Sequence, residues 1–177
     1  MKSKIAEKMD ELRKVYDLLN LDYEKVLTGP SKDKATKIDI IKNKVIRGQI
    51  IVWYTIIDEF LTNRICRYFF GKKKKFEILW KTKKFQNFNY YIIEQLYLLQ
   101  KLRLAKSISK IPKNVAADIE KLSVLRNGIA HTFFPENLRS SKPNWKGKDV
   151  FKFEGIKLLS EDISKIYAVF YRDEEWY

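Results

Sequence analysis

The sequence contains one cysteine and one histidine among 177 residues, and these two scarcities exclude several classes of protein. A single cysteine, Cys66, cannot form an intramolecular disulfide, and its helical apolar surroundings favour a buried small side chain over a catalytic thiol. With His131 as the lone histidine, no His/Cys cluster is possible, and no acidic pair has a clear ligand spacing. We therefore expect neither a metal nor another cofactor.

Long hydrophobic runs are also missing. The longest uncharged stretches, such as residues 48–57, are far shorter than the roughly 20 residues that a helix needs to cross a bilayer. The N-terminal sequence becomes acidic at Glu7 before any apolar stretch begins, which is not the pattern of a signal peptide. These absences predict a cytoplasmic protein without a membrane partner.

Acidic residues are few relative to basic ones, at 22 against 36, and the net charge is +14. Such a charge predicts a polyanionic partner, and RNA is the first candidate. A merely basic surface and an acidic membrane surface are the alternatives. A chain of 177 residues with 45% hydrophobic residues can bury one core. Because no repeat or linker interrupts it, we expect a single domain over residues 1–177.

Apolar residues recur at helical spacing through most of the chain. We therefore predict an all-α fold, an up-and-down bundle of about five helices with one long central helix. The expected helices cover roughly residues 5–21, 35–70, 87–107, 112–132 and 155–173. Gly71 should end the long helix, and Pro112 should open the fourth. Residues 150–153 alternate and could form a short extended segment.

The segment Arg126-Asn127-Gly128-Ile129-Ala130-His131 is the part most suited to chemistry. Arg126 occupies a position in an apolar seam made by Val115, Ile119, Leu122, Ile129 and Phe133, where an unpaired charge is costly. On a straight helix Arg126 and His131 point about 140° apart, whereas Asn127 and His131 differ by about 40°. Arg126 could wrap around the helix, or Gly128 could loosen it. We instead expect a two-fold homodimer, with the seam of this motif helix as its contact surface, to complete the site, because such symmetry brings two copies of one motif together.

The same residues resemble the R-x4–6-H signature of HEPN domains. The likeness is close over the ten residues 125–134, LRNGIAHTFF, which include the Asn after the Arg and the aromatics after the His. The later FKFEGI segment and the amphipathic helix after it also resemble the tail of several such domains. The resemblance implies a helical bundle that dimerises through its motif helices. It also implies a metal-independent endoribonuclease, often a toxin or antiviral effector, with Arg126 and His131 catalytic and Asn127 supporting.

The chemistry of these side chains agrees with that expectation. RNA supplies its own nucleophile, the 2′-hydroxyl, whose proton an imidazole can accept. A guanidinium can bind the non-bridging phosphate oxygens in fork geometry as negative charge accumulates on them. The alternative interpretation is structural: His131 stabilised by the dipole at a helix C-terminus, and Arg126 paired within the core. That alternative would leave a non-catalytic domain of the same fold, which binds a nucleotide, RNA or a protein.

Further candidates lie outside the motif. Asp58 or Glu59 could orient Arg126 or His131, although solvated or structurally paired acids are the alternative. A lysine run follows Gly71 and could contact phosphate or be simply solvated; it consists of Lys72, Lys73, Lys74 and Lys75. Trp145 could stack on a base among Lys142, Lys146 and Lys148, or pack on the bundle instead. An antitoxin or sensor protein is a further possible partner.

Overall fold

The computed structural model describes residues 4–19, 21–29, 33–71, 76–130 and 143–171, and these are mostly helical. The described residues form eight α-helices, one 3₁₀ turn and one two-stranded hairpin. In chain order they are α1 (Lys4–Leu18), α2 (Tyr23–Thr28), α3 (Lys34–Phe70), α4 (Phe76–Leu79), α5 (Lys83–Tyr91), the 3₁₀ turn Ile93–Gln95, α6 (Leu98–Ile108), α7 (Lys113–Ala130), β1 (Asn144–Trp145), β2 (Lys148–Asp149) and α8 (Phe153–Tyr171). The all-helical prediction is confirmed, whereas the number of about five helices is wrong. None of the described helices is long and apolar enough to span a membrane.

The long helix predicted over residues 35–70 is confirmed as α3. It ends where expected, because Gly71 adopts a φ of 89°, in the left-handed region that favours glycine. The Gly71 N–H donates to the Arg67 carbonyl at 3.0 Å and satisfies one of the last backbone acceptors of the helix. Pro112 likewise lies directly before α7, and its carbonyl accepts from the Ala116 N–H at 3.0 Å.

The helix predicted over residues 87–107 is wrong, because the chain is interrupted between α5 and α6. The backbone of Tyr97 is extended, and its N–H donates to the Gln100 side chain at 2.8 Å. This bond stabilises a new helix start at Leu98. The apolar spacing continues across the interruption, so hydrophobic periodicity alone could not reveal it.

The chain divides into two compact units, residues 1–48 and 49–177. In the first unit, the Lys44 Nζ donates to the Leu19 carbonyl at 3.0 Å, and Lys34 Nζ donates to the Leu27 carbonyl at 2.6 Å. The large apolar side chains of α1 are exposed there, from 43% for Val15 to 79% for Leu18. The single domain over residues 1–177 remains a prediction.

The second unit has its core around the C-terminal half of α3. The buried side chains of this half are Ile50, Ile57, Phe60, Leu61, Ile65 and Cys66, each at most 3% exposed. Phe60 stacks on Phe170 of α8 with ring centroids 5.4 Å apart, and Phe70 packs edge-on against Phe85 of α5 at 5.1 Å. The helix is therefore central to this unit, as the sequence predicts.

The hairpin formed by β1 and β2 connects to α8 through a tight turn. Residues 150–152 are not the extended segment that their alternation suggested, and Phe153 already begins α8. The reason is local, since the Phe151 N–H donates to Asp149 Oδ1 at 2.9 Å and the Lys152 N–H donates to the Asp149 carbonyl at 3.1 Å. These bonds turn the chain into the helix.

A substitution pair tests this turn. A Cβ on Gly155 would lie 2.0 Å from the Asp149 carbonyl oxygen, whereas a Cβ on Gly48 has no atom within 4 Å. We expect Gly155→Ala to lower the free energy of unfolding by roughly 1–3 kcal/mol or more. We expect Gly48→Ala, in the exposed interior of α3, to raise it by roughly 0.5–1 kcal/mol. Urea denaturation followed by circular dichroism measures both, and equal stability of the two variants would contradict the close approach.

Candidate functional site

The predicted apolar seam of the motif helix α7 is buried in the core of the second unit. Val115, Ile119, Leu122 and Ile129 are each at most 4% exposed, and α7 contacts α6, α8 and β1. The described seam therefore belongs to the chain's own core and is not available to a second copy. The opposite face of α7 is exposed, with Val124 at 70%. Phe133, the last seam residue, lies outside the described residues.

Arg126 lies at the border between these two faces. Its guanidinium carbon is 5.0 Å from the centroid of the Tyr54 ring, a cation–π arrangement with α3. Its Nη1 donates to the Asn127 side-chain oxygen at 3.2 Å. The Nε atom is buried and has no hydrogen-bond partner among the described residues. No carboxylate among the described residues forms an ion pair with Arg126. Its guanidinium instead contacts the Tyr54 ring and the Asn127 side-chain amide.

The Tyr54 ring contacts the Arg126 guanidinium, and the surroundings of Tyr54 keep the Tyr54 hydroxyl protonated. Burial raises the pKa of Tyr54, the positive charge of Arg126 opposes this, and the negative charge of Asp58 adds to it. Hydrogen bonds with the Ser123 side chain and the Leu98 backbone also act against the increase. Tyr54 and Ser123 were not among the predicted site residues. The seam position of Arg126 signalled that a partner was needed, but it did not say which residue.

The predicted orienting acids do not contact Arg126. Asp58 instead forms an ion pair with Lys101 of α6, with Asp58 Oδ2 2.5 Å from Lys101 Nζ. The Lys101 side chain is only 8% exposed, so a carboxylate next to it compensates a charge that would be costly alone. Glu59 is exposed. Asp58 is therefore structurally paired, which was the alternative. An orienting role toward His131 stays a prediction, because His131 lies outside the described residues.

Trp145 cannot stack on a base, because its side chain is 1% exposed. Its Nε1 donates to Asp162 Oδ2 of α8 at 3.0 Å, and the ring is part of the core. Lys146 Nζ lies 2.6 Å from Asp162 Oδ2 and 3.1 Å from Asp118 Oδ2, so two carboxylates neutralise it. The predicted RNA groove around Trp145 is wrong, and the packing alternative is correct. Lys148 remains exposed.

Asp162 holds this corner together. Its burial would raise its pKa, but hydrogen bonds from Lys146, Lys165 and Trp145 outweigh that effect and lower the pKa well below its usual range. Asp162 is therefore ionised at neutral pH and joins the hairpin to α8. Its contribution is structural, since its hydrogen bonds with Trp145, Lys146 and Lys165 all lie within the fold.

Several predicted site residues lie outside the described residues. They are His131, the lysine run Lys72 to Lys75, and Lys142. Their roles stay predictions. The pairing of Arg126 with His131 in one site stays a prediction.

Two observations on the described part of the chain concern metal and thiol chemistry. No three His, Cys, Asp or Glu side chains there are grouped so that they could hold a metal ion. Burial raises the pKa of the Cys66 thiol to about 11, so the thiol is protonated at neutral pH and is a poor nucleophile.

Comparison of the chain with protein-family models, with curated proteins and with solved structures gives no match. Any assignment of this protein to a functional class therefore depends on the motif segment and on the surroundings of Arg126.

Proposed function

We propose that this protein is a metal-independent endoribonuclease, a toxin or defence effector in the cytoplasm, with Arg126 and His131 as its catalytic residues. The observation that supports this most is the state of Arg126. A guanidinium partly buried in a helical core would ordinarily be paired with a carboxylate. Here it is fixed by Tyr54 and Asn127 and is not neutralised by any described acid. A phosphate diester is a ligand that such a guanidinium fits.

The proposed reaction needs no external nucleophile. His131 accepts the proton of the ribose 2′-hydroxyl, whose oxygen attacks the adjacent phosphorus. The bond from phosphorus to the 5′-oxygen breaks, and that oxygen receives the proton that the His131 imidazolium carries. Arg126 stabilises the charge on the non-bridging oxygens, and Asn127 positions the guanidinium. The products are a 2′,3′-cyclic phosphate and a 5′-hydroxyl, and DNA is not a substrate because it lacks the 2′-hydroxyl.

We expect RNA cleavage to continue unchanged in excess EDTA. The reason is that the 2′-hydroxyl is the nucleophile and the proposed catalysts are side chains. Cleavage of a 5′-labelled RNA, with the new ends mapped by their reactivity with polynucleotide kinase, provides the measurement. The same sequence made as DNA is the matched control. An absolute magnesium requirement, or 5′-phosphate ends, would show that the mechanism is wrong.

The proposal includes a homodimer through α7, but its contact surface differs from the predicted seam. The exposed face of α7 contains Lys121, Val124, Asn127 and Gly128. A Cβ built on Gly128 would have no atom of the described residues within 4 Å, so the surface there is open. Glycine is unfavourable within a helix, and no close contact to such a Cβ among the described residues requires it at this position. A second helix can approach closely over such a position. Sedimentation should therefore give a dimer at tens of micromolar, roughly the range that populates ordinary specific dimers.

The alternative is a non-catalytic HEPN-like domain that binds a nucleotide, RNA or a partner protein. The exposed apolar side of α1 favours it, since Ile5, Leu12 and Leu18 are at least 50% exposed. Exposed apolar surface of this kind is typical of protein interaction sites. An antitoxin or sensor that covers α1 is compatible with the nuclease as well, so the cleavage assay decides between the two functions.

A further inference from the structure

A cavity of about 720 Å³ opens in the second unit between α3, α5 and α6. Tyr54, the residue whose ring supports Arg126, forms part of its wall. The cavity therefore borders the proposed catalytic arginine across one aromatic side chain. Its size is within the range of small-molecule binding sites.

The charge of this cavity is opposite to that of the chain. Its wall contains the carboxylates of Asp58, Glu59 and Glu94 and the single ammonium of Lys101. Asp58 and Lys101 form an ion pair, so the charges of that carboxylate and of the ammonium cancel each other. Glu59 and Glu94 have no ion-pair partner among the described residues. A protein of net charge +14 thus has a cavity that attracts hydrogen-bond donors.

One carboxylate in the wall is held in a fixed orientation. Asn89 is 8% exposed, and its Nδ2 donates to Glu94 Oε1 at 2.7 Å. This oriented carboxylate offers a polar contact to a ligand. Such oriented polar groups are what gives a pocket specificity.

The rest of the wall is largely apolar and includes several aromatic side chains. Tyr54, Trp80 and Tyr97 line the cavity, and Trp80 is 47% exposed. Aromatic side chains bind planar, apolar-faced ligands by stacking, as they do with unpaired bases of RNA. The cavity therefore suits a flat ligand with an edge of hydrogen-bond donors.

We propose that this cavity binds a guanine base and that Glu94 recognises the base. Guanine has two neighbouring donors, N1–H and the N2 amino group, which one carboxylate can accept together. In uracil, adenine and cytosine an acceptor lies beside each donor of that edge and would face the carboxylate. The same base can come from a free nucleoside or from RNA. In the RNA case, which rests on the proposed function, the cavity holds a guanine beside the phosphate that Arg126 binds.

Calorimetric titration of the full chain with free nucleosides tests the cavity without any turnover. We expect saturable binding of guanosine with a Kd below about 1 mM. Inosine, which lacks only the N2 amino group, should bind roughly 10- to 100-fold more weakly, because one bond to a charged acceptor is lost. Uridine should not bind. Equal binding of all three nucleosides, or binding of spermidine in place of guanosine, would overturn the proposal.

A variant pair identifies the carboxylate. Glu94→Gln should lower the guanosine affinity to about that of inosine, because the amide presents a donor to one of the two N–H groups. Glu161→Gln is the matched control, since Glu161 is exposed on α8 and outside the cavity wall. If Glu94→Gln still bound guanosine more tightly than inosine by the wild-type ratio, another group would be the one that recognises the base. The guanosine-to-inosine ratio of the wild type decides the proposal even if the variant is unstable.

RNA substrates separate the two sources of the base. If RNA is the source, cuts should lie next to guanines, and an RNA with inosine in place of guanosine should be cut more slowly. Guanosine binding without any RNA cleavage would contradict the proposed nuclease and support a free-nucleoside site. Cleavage without guanosine binding or guanine preference would support the nuclease and refute the cavity as a base site.

Discussion

His131→Ala is expected to reduce the rate of RNA cleavage by about 10²–10⁴ while RNA binding is nearly unchanged. The reason is that, in the proposed reaction, the imidazole transfers protons and contributes little to the affinity for a polyanion. Single-turnover cleavage at saturating RNA measures the rate, and fluorescence anisotropy of a labelled RNA measures binding. The two measurements together separate chemistry from affinity.

The lysine run is the control for this prediction. Changing Lys72, Lys73, Lys74 and Lys75 to Gln should weaken RNA binding and flatten its salt dependence, because fewer counterions are released. Turnover at saturating RNA should persist. If His131→Ala cleaves as fast as wild type while the lysine variant is inactive, the protein is a basic binding module rather than this nuclease.

Arg126→Lys is expected to lower cleavage by roughly 10²–10³, the loss typical of one transition-state donor. Lysine keeps the positive charge over the Tyr54 ring, but it lacks the planar fork that binds two phosphate oxygens at once. Thermal unfolding should differ little from wild type, so that a loss of rate cannot be attributed to unfolding. Arg126→Ala is the less clear variant, since it also removes the contacts with Tyr54 and Asn127. Full activity of Arg126→Lys would contradict bidentate phosphate contact.

Mixing two inactive variants tests whether the site is shared between protomers. If one copy supplies Arg126 and its partner supplies His131, a heterodimer of Arg126→Lys and His131→Ala contains one intact site of two. Random mixing should then restore about one quarter of the wild-type rate per chain. Activity that stays at the level of the separate variants would place both residues in a single chain, or would mean that no dimer forms.

Much of the helical architecture could be predicted from the sequence, because its signals are local. Apolar spacing predicted α3 and α8, and Gly71 and Pro112 marked helix ends through their own backbone preferences. The failures are also instructive. The interruption at Tyr97 depends on a hydrogen bond to Gln100, and hydrophobic periodicity continues through it.

The candidate site could be predicted only in part. The position of Arg126 in an apolar seam indicated that its charge needs a special environment, and the structure supplies one. The alternation of lysine and tryptophan around residue 145 was misleading. A solvent-exposed ring and a ring whose Nε1–H donates to a buried Asp162 look identical in sequence.

The sequence by itself determined the helical class, the basic charge and the motif with its implied chemistry. The tertiary structure decided which groups meet: Tyr54 with Arg126, Asp58 with Lys101, and Trp145 with Asp162. It also decided that Tyr54, whose ring contacts Arg126, lines an acidic cavity with aromatic side chains. The physical reason is that helix formation depends on residues three and four positions apart, whereas each of these contacts joins residues far apart in the chain. Such contacts exist only once the helices pack.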